Sequence, residues 1–117
     1  MTRILLVEPH TLFREGLRLL LSNRDNTKIV GEVNTAQSTF QSIETLSPDL
    51  CIIDIGLSGE SLIETVSRLR ELQPGLKQLM LLDTHHKTLV RLLLQTGANG
   101  IVSKSCAYEE LDFAIKV

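Results

Sequence analysis

The sequence predicts an α/β protein with a doubly wound, parallel five-stranded sheet of (βα)5 plan. Three observations predict it. Short apolar runs of strand length alternate five times with stretches whose apolar residues recur at helical spacing. Several of those runs are apolar throughout, as strands covered on both faces are. The connections between them are short, so right-handed helical crossovers give a single parallel sheet.

Each element follows from its residues. Ile4, Leu5, Leu6 and Val7 form strand one. Thr11 reads as the N-cap of a first helix bearing Leu12, Phe13, Gly16, Leu17, Leu20 and Leu21. Residues 23–26 break it, and residues 28–33 form strand two. Thr35 caps a second helix carrying Phe40, Ile43 and Leu46, which Ser47-Pro48 stops because the residue before proline disfavours helix. Residues 50–53 are strand three. A third helix carries Leu62, Ile63, Val66, Leu69 and Leu72, and Pro74-Gly75 turns the chain into strand four, residues 78–82. Helix four spans about residues 87–96 with Gly97 as its stop. Residues 100–102 are a short strand five, and a last helix begins at Tyr108.

A chain of 117 residues suits one domain, residues 1–117, with a sizeable core. A net charge of −2 leaves no basic footprint for nucleic acid, so DNA would be reached only through an attached domain. No apolar stretch approaches the roughly 20 residues that cross a bilayer, and the start has no signal-peptide core. A cytoplasmic, reducing compartment is expected, with Cys51 and Cys106 as free thiols lacking metal or redox spacing. Aromatic residues are only Phe13, Phe40, Tyr108 and Phe113, too few for recognition by stacking.

The chemistry gathers where strands end. Leu50-Cys51-Ile52-Ile53 runs straight into Asp54, and the carboxyl edge of a parallel sheet is where ligands sit. The plainer reading makes Asp54 a turn or cap residue. The same edge receives Glu8, residues 82–84 and Lys104. Two acids and a lysine there suit phosphoryl acceptance on an aspartate, with an ion and an ammonium offsetting the phosphate charge. His85-His86 and His10 lack an acid or cysteine at metal spacing, so a metal role for them is disfavoured. Helix four holds more leucines than one buried face needs, which predicts an exposed apolar stripe for a partner or a second copy.

At these residues the chain resembles the receiver domain of bacterial two-component response regulators, most closely the NarL/FixJ (LuxR-type) family. The resemblance rests on residues 4–17, ILLVEPHTLFREGL, on 48–54, PDLCIID, and on 97–104, GANGIVSK. It spans the whole chain and implies a flavodoxin-like fold. It also implies that Asp54 is at the phosphoacceptor position and Lys104 at the phosphate-contacting lysine position. By the same resemblance, Glu8 and Asp54 are the metal-side carboxylates.

The departures surround that one site. Pro9 stands where the family's second acid touches the ion, and it offers no side-chain oxygen. Leu82 stands where a Ser or Thr would hydrogen-bond the phosphoryl group. Thr84, two residues on, would serve only if the loop were shifted. Ile101 stands at the aromatic switch position, Ser58 replaces a customary proline, and Ser105 follows Lys104 in place of another. The resemblance with its departures implies a regulatory module for transcription control with a degenerate phosphorylation site. No cofactor, or weakly bound Mg²⁺, is expected. Expected partners are a second copy or another regulator and a sensor histidine kinase, with no membrane and with DNA-binding by a helix-turn-helix domain beyond this one. The alternative is a conventional receiver phosphorylated on Asp54. An aspartyl-phosphate hydrolase would need an acid where Gly56 stands. A dinucleotide site would need a Gly-x-Gly-x-x-Gly after strand one. No enzymatic activity is expected.

Overall fold

The computed structural model describes residues 1–57, 61–83, 87–106 and 108–116. Five strands and five helices alternate: β1 (Thr2–Val7), α1 (Thr11–Ser22), β2 (Thr27–Val33), α2 (Ala36–Leu46), β3 (Leu50–Asp54), α3 (Leu62–Leu72), β4 (Lys77–Leu82), α4 (Lys87–Thr96), β5 (Gly100–Ser103) and α5 (Tyr108–Lys116). All pairings are parallel and the strand order is β2-β1-β3-β4-β5. This is the flavodoxin-like doubly wound order, which reverses between β1 and β3 and opens a crevice at their carboxyl ends.

Side chains alternate across each strand, so the sheet has two cores. On one face Leu5, Val7, Cys51, Ile53 and Met80 pack with Phe40 and Ile43 of α2, Val66 and Leu69 of α3, and Leu93 of α4. On the other, Ile4, Leu6, Ile52, Leu79, Leu81 and Val102 pack with Leu17 and Leu21 of α1 and with Leu111 and Ile115 of α5. Each fully buried aliphatic side chain contributes about 1.5–3 kcal/mol of transfer free energy. The apolar runs are therefore strands because both faces are covered, as their composition predicts.

Two caps differ in an instructive way. Thr35 caps α2 as expected: its hydroxyl accepts from the Ser38 amide, and Ser38 Oγ accepts from the Thr35 amide. Thr11 does not cap α1. The N-cap is His10, whose side chain makes no capping bond. The ring is turned instead toward the end of β3.

The loops at the amino ends of the strands are held by backbone geometry. Asn26 (φ 57°), Ser47 (φ 47°) and Gly97 (φ 148°) take left-handed conformations there. The Asn99 side chain accepts from the Gln78 amide, and Asp49 accepts from the Arg3 amide. Buried Gln78 donates from Nε2 to the Val66 carbonyl, which pins β4 to α3.

Helix four departs from expectation. Leu93 is buried, while Leu92 and Leu94 are exposed on different sides rather than along one stripe. Exposed leucines are more prominent on α1, at Leu12, Leu19 and Leu20. Among the described residues no helix is long and apolar enough to cross a membrane.

Candidate functional site

The carboxyl ends of β1, β3 and β5 bring Glu8, Asp54 and Lys104 together. Asp54 closes β3 as a wholly buried residue. Its Oδ1 accepts from the Gly56 amide at 2.6 Å, and its Oδ2 forms an ion pair with Lys104 Nζ. A Cβ at Gly56 would lie 3.2 Å from Asp54 Oδ1, a tight contact that the carboxylate would have to give way to. Glu8, 1% exposed, follows β1; its backbone carbonyl accepts from Arg14 at 2.6 Å.

His10 completes the cluster, against the expectation that no acid stands at ligand distance from it. Its Nδ1 lies 2.7 Å from Glu8 Oε1 and 3.2 Å from Asp54 Oδ2. Its amide also donates to Glu8 Oε1 at 3.0 Å. The signal in the sequence was the Glu-x-His spacing at the end of a strand, but Asp54 joins only through the topology. Asp83 lies in the 82–84 segment expected at this edge, and the structure adds its approach to Lys104. Its Oδ1 is 3.5 Å from Lys104 Nζ, just past the end of β4.

Lys104 sits among these groups with a largely buried stem. Its Nζ is 3.4 Å from Glu8 Oε2, 3.4 Å from His10 Nδ1 and 4.5 Å from the centre of the Phe13 ring. Its amide donates to the Leu82 carbonyl, which fixes the loop that carries it.

The electrostatics follow from this crowding. Burial raises the Glu8 carboxyl above its usual range, and the hydrogen bond shared with Asp54 adds to the rise. Burial alone would raise Asp54 too. The hydrogen bonds from Glu8, Lys104 and the Gly56 amide outweigh it and hold Asp54 low. His10 is raised by its bond to Glu8, then by Asp54, with Lys104 opposing. Desolvation works to lower Lys104, but Asp54 first and then Glu8 and Asp83 raise it. Asp54 is therefore an ionised carboxylate paired with an ammonium, beside an acid that resists ionisation.

Pro9 contributes no side-chain oxygen. Leu82, the buried last residue of β4, contributes no hydroxyl. Ile101 is half-buried on β5 and packs against the α2–α4 core. Thr84, Ser58, His85 and His86 lie outside the described residues.

These features lead to one family. Residues 4–116 match the response regulator receiver domain, and the chain belongs to that family. It is 30% identical over 108 residues to the nitrate/nitrite response regulator protein NarL of Escherichia coli, covering 92% of this chain and 50% of that protein. It is 36% identical over 104 residues to the transcriptional activator protein ExaE of Pseudomonas putida, covering 89% and 49%. The chain thus spans about half the length of these relatives. A LuxR-family two-component response regulator from Aurantimonas sp. superposes with a TM-score of 0.92 at 28% identity, covering 99% of this chain and 83% of that one. Receivers are signalling modules and generally not enzymes.

Receiver domains commonly bind Mg²⁺ at their acidic site. Mg²⁺ takes oxygen ligands and keeps several waters. Glu8 and Asp54 fit it, and Glu8 Oε2, buried without a hydrogen bond, is a candidate donor. The set that converges here is not all oxygen, since His10 supplies a nitrogen.

Proposed function

We propose that this receiver domain is a regulatory protein-interaction module whose phosphorylation machinery is weakened. The observation that carries the reading is the pairing of Asp54 with Lys104 in a pocket where Pro9 offers no side-chain oxygen and Leu82 no hydroxyl. The phosphoacceptor position Asp54 and the phosphate-contacting position Lys104 persist. Glu8 and Asp54 alone would hold Mg²⁺, and weakly, so the charge on an incoming phosphoryl group would be poorly offset. Leu82 and Ile101 leave both halves of the usual hydroxyl–aromatic switch apolar.

The output we propose is control of transcription through protein contact. The relatives named above are regulators about twice this length, which supports a DNA-binding helix-turn-helix domain beyond residue 117. The exposed Leu12, Leu19 and Leu20 of α1 support contact with a second copy or another regulator. A cytoplasmic location fits this role. The test is incubation with acetyl phosphate or beryllofluoride and Mg²⁺, read by intact mass and NMR shifts. Little modification is expected, and stoichiometric modification of Asp54 with widespread shifts would overturn the weakened site.

The second reading is a conventional receiver phosphorylated by a sensor histidine kinase, with Glu8 supporting the ion and Thr84 supplying the hydroxyl. The retained Asp54–Lys104 pair favours it. An Asp54→Asn variant that loses regulation in cells would support it.

A further inference from the structure

We propose that Glu8, His10 and Asp54 form a mixed nitrogen–oxygen site for a first-row divalent transition ion of the zinc type. The inference rests on the reading of a weakened Mg²⁺ site, but not on any output of the domain.

Geometry comes first. One ligand atom from each residue lies within 4.8 Å of the other two. His10 Nδ1 is 2.7 Å from Glu8 Oε1 and 3.2 Å from Asp54 Oδ2. Two bonds of about 2.0–2.2 Å to a common tetrahedral ion place their donors roughly 3.3 Å apart, so small side-chain adjustments suffice. Three protein ligands with a fourth position for water is a usual open zinc arrangement.

Donor chemistry comes second. An imidazole and two carboxylates suit zinc, cobalt and their neighbours, whereas Mg²⁺ selects oxygen. Pro9 removes the oxygen next to Glu8, and His10 puts a nitrogen at the same rim.

Third, Glu8 is 1% exposed and its Oε2 makes no hydrogen bond. Its charge is met by Lys104 Nζ at 3.4 Å, so the buried carboxylate already draws a cation to this point. Lys104 Nζ already stands within 3.5 Å of oxygens of Glu8 and Asp54 and of His10 Nδ1. A positive charge is thus accommodated at the centre of the cluster. An entering ion displaces a flexible ammonium rather than a packed wall. The His10 side chain is 60% exposed, which leaves a path from solvent.

The test uses the 117-residue chain carrying His85→Ala, His86→Ala and Cys106→Ser, which removes the other imidazoles and the more accessible thiol. Co²⁺ is titrated as an optical probe near neutral pH, then challenged with Zn²⁺ and with excess Mg²⁺. One equivalent of Co²⁺ is expected to give d–d absorption that Zn²⁺ removes and Mg²⁺ does not. His10→Ala and His10→Gln, each checked for native circular dichroism, are expected to weaken binding roughly 100-fold, since even outer-shell changes reach that size. Lys104→Met, freed of the competing ammonium, is expected to bind more tightly. No one-to-one binding, displacement by Mg²⁺, or binding indifferent to both His10 changes would overturn the site. No phosphodonor is present, so this outcome is read separately from modification of Asp54.

Discussion

The two ends of the sheet are held by different physics. At the carboxyl end, Glu8, His10, Asp54, Asp83 and Lys104 crowd together, and one buried carboxylate oxygen makes no hydrogen bond. At the amino end, the chain is turned by left-handed residues and tied by side chains that meet backbone groups, as at Asn99–Gln78 and Asp49–Arg3. Charges there, such as Arg24–Asp112–Lys116, are mutually paired, and the carboxylate they share is 23% exposed rather than wholly buried. Buried Gln78 Oε1 is also without a hydrogen bond, so the contrast lies in charge: one end gathers buried ionisable groups, and the other is tied mainly through backbone groups.

The largest expected effect tests the carboxyl end. Lys104→Met leaves Asp54 and Glu8 buried without their ammonium and is expected to cost about 3 kcal/mol in urea unfolding. A loss no bigger than that of an exposed pair would erase the contrast. Next comes the amino end. Gly97→Ala imposes a Cβ at φ 148°, 2.8 Å from Arg70 Cδ, and is expected to cost about 2 kcal/mol with no change at the acidic cluster. NMR shifts at Gly56 would check the second half.

A smaller effect concerns pH. Arg24 first, then Lys116, holds Asp112 below its ordinary value, so its folded pKa lies below the unfolded one. Its contribution is present above about pH 3.9 and is lost as pH falls through the lower folded value. Asp112→Asn is therefore expected to be less stable than the parent at neutral pH, with the gap closing only in acid. Urea midpoints across that range check it. The smallest effect is on reactivity alone. Burial pushes the Cys51 thiol up to about 12, whereas Cys106 is only half-buried at the carboxyl end. A thiol reagent is expected to label Cys106 in the folded protein and Cys51 only after unfolding.

The scaffold was legible because its signals are local. Apolar runs set the strand ends, so the positions of Glu8, Asp54 and Lys104 followed at once. Thr35 and Gly97 were legible for the same reason, as a cap and a stop chosen by backbone geometry. What escaped depended on tertiary approach. His10 looked like a lone imidazole because its partner Asp54 is 44 residues away. Thr11 looked like the cap of α1, yet the helix begins at His10, whose ring serves the acids instead. Asp83 fell within the 82–84 segment expected at the edge, but its pairing with Lys104 depends on how the two loops approach. The leucines of α4 could be counted but not assigned to faces, and the more exposed ones proved to lie on α1.

Pro9 has a consequence beyond its missing oxygen. The link from β1 to α1 is only three residues, Glu8, Pro9 and His10. A ring in that link restricts the disordered chain, and such a restriction is typically worth about 0.4–1 kcal/mol of chain entropy. Restoring the oxygen by Pro9→Asp would return an ion ligand while giving the unfolded chain back its freedom. At this one position, recovering the family's chemistry and keeping the fold's stability pull in opposite directions.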